Sequence, residues 1–184
     1  MSIAAIIKWA LYRDSGLIWV DPTHAVTLGY MGGGAFAGAN LGSGTYPVAN
    51  QLYAFPFSLA SPKTLTKILV PIGATSSGNI DVALLDSTGA RLSSAGSTPM
   101  GSTNALQTFD ITDVALAPGT FYYAAVAVDN TTGTLVQTTG IIPGVGQLAG
   151  WRTKATGFPI AASNTLVAPS TNATWPVLQL EFAA

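Results

Sequence analysis

After residue 50, hydrophobic and polar residues alternate along most of the chain with a period of two, which predicts strands rather than helices. In NIDVALLDSTGARL, Ile80, Val82 and Leu84 share one face, and Asp-Ser-Thr-Gly follows as a turn whose glycine can take a positive φ. APGTFYYAAVAVDNTTG repeats the plan. Pro118-Gly119 punctuates it, residues 121–128 are rich in aromatic and β-branched side chains, and Asp129-Asn130 with Gly133 closes it. Near the C-terminus, WPVLQLEF sets Leu178, Leu180 and Phe182 against Val177, Gln179 and Glu181, a strand with one face buried. Short strands between turns, with no helical segment of ~12 residues, predict an all-β antiparallel sandwich or barrel over residues 51–184.

Residues 1–50 read differently. From Pro22 to Pro62 there is no Asp, Glu, Lys or Arg, and seven glycines lie between Gly29 and Gly44. A solvated Gly/Ser linker has no use for apolar anchors, yet Tyr30, Met31, Phe36, Leu41 and Tyr46 are interspersed here. The pattern predicts an extended N-terminal arm, residues 1–50, that is ordered by lying on neighbouring protein. Its glycines would let the backbone approach that surface closely. Trp9, Trp19, Tyr30, Phe36 and Tyr46 are the expected interface anchors.

Composition narrows the partners. The 184 residues suit one domain with an appendage. Charged residues make up 8% and the net charge is −1, against roughly 25% charged in an ordinary soluble domain. Such a chain has no field to gather nucleic acid or an anionic membrane. Hydrophobic residues at 48% and a mean hydropathy of +0.42 call for a membrane or for extensive burial against other chains. A spanning helix needs ~20 consecutive apolar residues, and every long charge-free run is broken by Gly, Pro, Ser, Thr and Asn. The start MSIAAIIKWALYRD is too short to span and carries Lys8 inside its apolar part, so it reads neither as an anchor nor as a secretory signal. Protein contacts are the remaining expectation.

Candidate chemistry is sparse. With no cysteine and one histidine, His24, no thiolate or familiar zinc set can be assembled. Residues 32–37 satisfy G-x-G-x-x-G/A, but Gly38, Gly42 and Gly44 would break the helix that motif requires, and the first acid downstream is Asp81. No lysine follows as in a phosphate loop, and no G-x-S-x-G elbow supports a triad with His24. Asp81, Asp86, Asp110, Asp113, Asp129 and Glu181 could be combined in pairs for glycoside hydrolysis, but Asp86 and Asp129 stand where hairpin turns begin and cap backbone amides there. Calcium on such loop carboxylates is the minor alternative. Trp151-Arg152, after a Gly-rich loop, is the best candidate for a sugar-stacking platform, against the ordinary reading of aromatics as core. The sequons at Asn130 and Asn172 read as chance matches in a Thr-rich chain. No catalytic residue, cofactor or metal is expected.

SGNIDVALLDSTGARL and LAPGTFYYAAV, within residues 52–130, resemble the jelly-roll, carbohydrate-binding-module-like β-sandwiches of tailed-phage virion proteins, both decoration (cement) proteins and fibre components. The resemblance implies a jelly-roll-like fold and an oligomeric virion component, assembled in the host cytoplasm. Two readings of function follow. In the first, the chain is a non-enzymatic capsid decoration protein, a homo-oligomer with a trimer as the expected form, bound to the major capsid protein or other virion proteins. In the second, it is a fibre or tail module whose sandwich binds host-surface glycans, for which Trp151 and Arg152 would be the contacts.

Overall fold

In the computed structural model, the described residues are 26–28, 40–139, 151–169 and 174–183. Thirteen strands run through them: β1 (Val26–Leu28), β2 (Asn40–Thr45), β3 (Leu52–Phe57), β4 (Lys63–Pro71), β5 (Asn79–Asp86), β6 (Arg91–Ser94), β7 (Thr98–Pro99), β8 (Leu106–Leu116), β9 (Tyr122–Val128), β10 (Thr134–Thr139), β11 (Arg152–Lys154), β12 (Trp175–Pro176) and β13 (Leu178–Phe182). No helix occurs among the described residues. All strand pairings are antiparallel.

Three sheets result. The largest has the order β11-β3-β9-β5-β6, with β7 also on β5. The second is β1-β13-β4-β8 and the third β12-β10-β2. The chain passes back and forth between layers, from β3 to β4, from β4 to β5, and from β8 to β9, and the fold is an all-β antiparallel sandwich. Its main core lies between the sheets. Tyr53, Phe55, Ile80, Val82, Leu84 and Val126 of the six-stranded sheet meet Leu65, Ile68, Phe109, Leu178 and Leu180 of the four-stranded sheet.

The turn read from Asp-Ser-Thr-Gly joins β5 to β6. Gly89 takes a φ of 86°, and Asp86 accepts hydrogen bonds at one carboxylate oxygen from the Thr88 amide (2.8 Å), the Thr88 hydroxyl (2.6 Å) and the Ala90 amide (3.0 Å). At the β9–β10 end, Asp129 accepts from the main-chain and side-chain amides of Asn79. Asp86 thus caps its own turn, as its position predicts, whereas Asp129 reaches across to the start of β5 and the turn that follows it is capped by Asn130, whose oxygen accepts from the Thr132 and Gly133 amides.

The boundary expected at residue 50 is not where the sandwich begins. Val26–Leu28 pairs with Leu178–Leu180, and Asn40–Thr45 pairs with all six residues of β10. Part of the glycine-rich stretch is therefore a strand of the chain's own body. Gly44 has a packing reason: a Cβ there would collide with the Gln137 side chain, which lies over β2 and donates to the Thr45 carbonyl at 3.3 Å.

The two faces of the six-stranded sheet are both covered. On the side away from the main core, Leu52, Ala54, Ala83, Leu85, Ala125 and Ala127 form a second apolar cluster with Ile160, which belongs to residues 155–167 crossing over them. This is why β5 and β9 are buried almost without interruption. The four-stranded sheet has no such cover among the described residues, and β8 alternates between exposed and buried positions.

Candidate functional site

Most aromatic residues among those described are drawn inward, with Phe121 the exposed exception. Tyr46, Tyr53, Phe55, Trp151 and Trp175 form one cluster in the main core. Tyr46 meets Tyr53 edge-on at 5.4 Å, Tyr53 meets Trp175 edge-on at 5.0 Å, and the two tryptophans lie 4.6 Å apart. Such geometry adds a little to area burial alone. Trp151 is 2% exposed and Tyr46 is 1% exposed.

Two expectations are corrected here. Trp151 cannot stack on a sugar, because its ring packs on Phe55 and Trp175. Arg152 does not join it. Its partner across the sheet, Ala54, belongs to the opposite apolar cluster, and strand alternation sends the two side chains to different faces. The Arg152 guanidinium donates to the Trp151 carbonyl at 2.9 Å.

Tyr46 is likewise no anchor for a neighbouring protein. Its hydroxyl donates to the Gln51 carbonyl at 2.6 Å, with the Val126 carbonyl 3.1 Å away, and burial together with Tyr53 pushes its acidity well below that of an ordinary phenol. Trp9, Trp19, Tyr30 and Phe36 lie outside the described residues, as do His24, the 32–37 glycine motif and Asn172.

The carboxylates do not converge. Asp86 is held below the usual carboxylate range first by the Thr88 hydroxyl. For Asp129, burial pushes upward, but the hydrogen bonds from Asn79 and Asn130 outweigh it and bring the group down. With N–H donors on both Asp129 oxygens, this turn is built to hold backbone and amide groups rather than a cation. Among the described residues, no group of three or more His, Cys, Asp or Glu side chains is arranged to hold a metal ion. Asn130 is fully occupied: its amide nitrogen donates to Ser77 and Asp129, and its oxygen accepts from the Thr132 and Gly133 amides.

Asp81 is the acid whose setting the strand pattern did not reveal. It is fully buried on the outer side of β5, where one carboxylate oxygen accepts from the Ile160 amide at 2.8 Å and the other from Ser94 at 3.3 Å. Burial pushes it above the usual carboxylate range, against these hydrogen bonds and the nearby Arg91. The sequence does carry a signal for this setting. Ala83, Leu85, Ala125 and Ala127 make β5 and β9 apolar on both faces, and a strand apolar on both sides is covered on both.

On the open face of the four-stranded sheet, Lys67 of β4 stands between Glu181 of β13 and Asp110 of β8 in direct register. Lys67 and Glu181 form an ion pair at 2.5 Å, which raises the lysine above its ordinary value. Nearby, Pro62, Lys63, Thr64, Ala115, Leu116 and Ala183 line a shallow open cavity of about 270 Å³. Among the described residues, this face presents charged and polar side chains, with no aromatic platform and no pair of carboxylates set for acid–base work.

Compared with known proteins, the chain matches no family model and no curated protein. The fold and the placement of these side chains are what bear on function.

Proposed function

We propose that this chain is a non-enzymatic structural protein of a phage virion, a capsid decoration protein that binds the shell and stabilises it. The observation that carries the reading is where the polar and aromatic side chains go. Among the described residues, Tyr46, Tyr53, Phe55, Trp151 and Trp175 are spent on the core, Asp86 on a turn, Asp129 on the start of β5, and Asp81 on fastening residues 155–167 to the sheet. A sandwich built in this way serves as a rigid body for assembly. The low charge content of 8% supports it, since a surface this poor in charge favours protein contacts over isolation in water. So does the resemblance of residues 52–130 to virion sandwiches. The major capsid protein, or another shell protein, is the proposed partner, and a homo-oligomer, with a trimer as the expected form, is the proposed assembly.

The test uses the chain and shells that lack it. Because β1 starts at Val26, the truncation that probes the N-terminal residues is removal of 1–25, which keeps every described strand. The full chain is expected to sediment as an oligomer and to raise the temperature at which shells open, and the truncated chain to remain folded but lose shell binding. A monomeric chain that ignores shells and instead retains on glycan arrays would replace this reading with that of a fibre module. In that case the contacts would have to lie elsewhere than at Trp151.

A further inference from the structure

Residues 155–167 cross the outer face of the six-stranded sheet and join it only by isolated bridges, Ser163 to Ala90 and Val167 to Thr153. Their attachments can be named. The Gly157 amide donates to the Asn50 carbonyl at 2.6 Å, the Arg91 amide donates to the Ala162 carbonyl at 2.9 Å, and Val167 exchanges two backbone hydrogen bonds with Thr153. Asn164 bonds to the Gly89 carbonyl through its main-chain and side-chain amides and accepts from Lys154 at 3.0 Å. At the centre, the Ile160 residue is held on two sides. Asp81 accepts from its N–H, and the Arg91 guanidinium donates to its carbonyl.

The apolar cluster beneath this segment is separate from the main core. Ile160 is the segment's one fully buried apolar side chain, while Phe158 and Leu166 are half-buried. Lifting the segment bares Leu52, Leu85 and a strip of alanines but leaves the inter-sheet core of Tyr53, Phe55, Ile80, Val82 and Val126 untouched. Local opening follows the lines along which few buried contacts must be broken.

We propose that residues 155–167 are a detachable strap, clasped to the sheet by Asp81 and Arg91 through Ile160, which opens and closes while the sandwich beneath stays folded. The strap itself has no Asp, Glu, Lys, Arg or His. The titratable and charged groups facing it are Asp81 from β5, Arg91 from β6, Arg152 and Lys154 from β11, and the half-buried phenol of Tyr123 from β9; β3 and β9 otherwise present Leu52, Ala54, Ala125 and Ala127. Asp81 therefore makes the clasp responsive to acid. Closed, its carboxyl is raised by burial; open, water returns it to the ordinary range. Closing takes up a proton between those two values, so the closed strap weakens as pH rises through that window. The neutral acid still offers its carbonyl oxygen to the Ile160 amide.

Hydrogen–deuterium exchange on the full chain, corrected for intrinsic rates, tests this. The strap amides of Ile160, Asn164 and Val167 should exchange faster than those of β5 and β9, and increasingly so as pH rises through the window. Asp81→Ala, which leaves the Ile160 amide without its acceptor, should speed strap exchange by about tenfold or more while β9 stays protected. Asp81→Asn keeps an acceptor for Ile160 and should retain the strap but abolish its excess pH dependence. Should Asp81→Ala not fold, Arg91→Met loosens the same clasp from its other side and should also speed the strap alone. Strap and β5–β9 amides exchanging at one common rate, or an Asp81→Asn chain with the pH dependence of the parent, would overturn the proposal.

Discussion

The six-stranded and four-stranded sheets share one core and differ on their other faces. The outer face of the six-stranded sheet is paved with alanine and leucine under residues 155–167 and buries one carboxylate. The outer face of the four-stranded sheet carries the row Glu181, Lys67 and Asp110. The same antiparallel pairing thus supports two regimes of substitution. Under cover, side-chain volume and polar satisfaction decide the outcome. In the open, solvent screens most of what a change could do. The long edge strand β8 belongs to the second regime, and its break in register between Leu65 and Lys67 of β4, with Asp110 and Asp113 alongside, makes it a poor template for another strand.

The comparison can be broken outright at the shared core. Trp175→Ala removes the ring that touches Tyr53, Phe55 and Trp151, and should cost about 3 to 5 kcal/mol in urea unfolding. Both sheets should melt together. Two separate transitions would show that they are not one cooperative body. The contrast between faces is sharpened by a matched pair. Ala125→Leu beneath residues 155–167 should cost about 1 to 3 kcal/mol, whereas Thr108→Leu on the open face should stay within about 0.5 kcal/mol. Equal costs would erase the distinction drawn here.

Acid separates the regions further. Asp86 and Asp129 are lowered in the folded chain, so the stability they contribute is present above the ordinary carboxylate range and is lost as pH falls through their lowered values. Asp86→Ala should flatten part of that loss in thermal melts taken at successively lower pH. An unchanged acid limb would show that this turn contributes nothing through its charge. The smallest effect is expected at Lys67→Met on the open face. Its raised value means that any stabilisation is present below the ordinary lysine range and disappears as pH rises past it. The melting temperature should barely move at neutral pH, and the remaining difference should vanish in high salt. A large, salt-resistant drop would mean that this face is less open than its exposure indicates.

The strands β5, β9 and β13 were legible because their alternation is set by one dominant core. Ile80, Val82 and Leu84 face it, as do Leu178 and Leu180. The Asp86 turn was legible because a short acid at the head of a turn has one cheap local use; at Asp129 the turn was legible but the cap was not, since Asn130 caps it and Asp129 bonds to Asn79. What period-two reading misses is the identity of a second cover. The apolar Ala83 and Leu85 signal that the face they share with Asp81 is covered, but nothing local says by what: residues 155–167 lie over them some 70 positions later in the chain. Tyr46 and Trp151 were misplaced for a related reason. Glycine-rich flanks suggest loops on the surface, but nothing local states that Asn40–Thr45 pairs with a strand some 90 residues away or that Trp151 turns toward Trp175. Non-local pairing decided both.

The tryptophan pair also gives the protein an optical signature. Trp151 and Trp175 lie 4.6 Å apart at an interplanar angle of 55°, fully enclosed and joined by the ring of Phe55. Two indoles held so close and tilted couple their intense short-wavelength transitions, which should place a pair of bands of opposite sign in the far-ultraviolet dichroism of the folded chain. That feature depends on how Trp151, just before β11, packs against Trp175 of β12 and Phe55 of β3, and not on the outer faces, so it provides an internal gauge of core integrity.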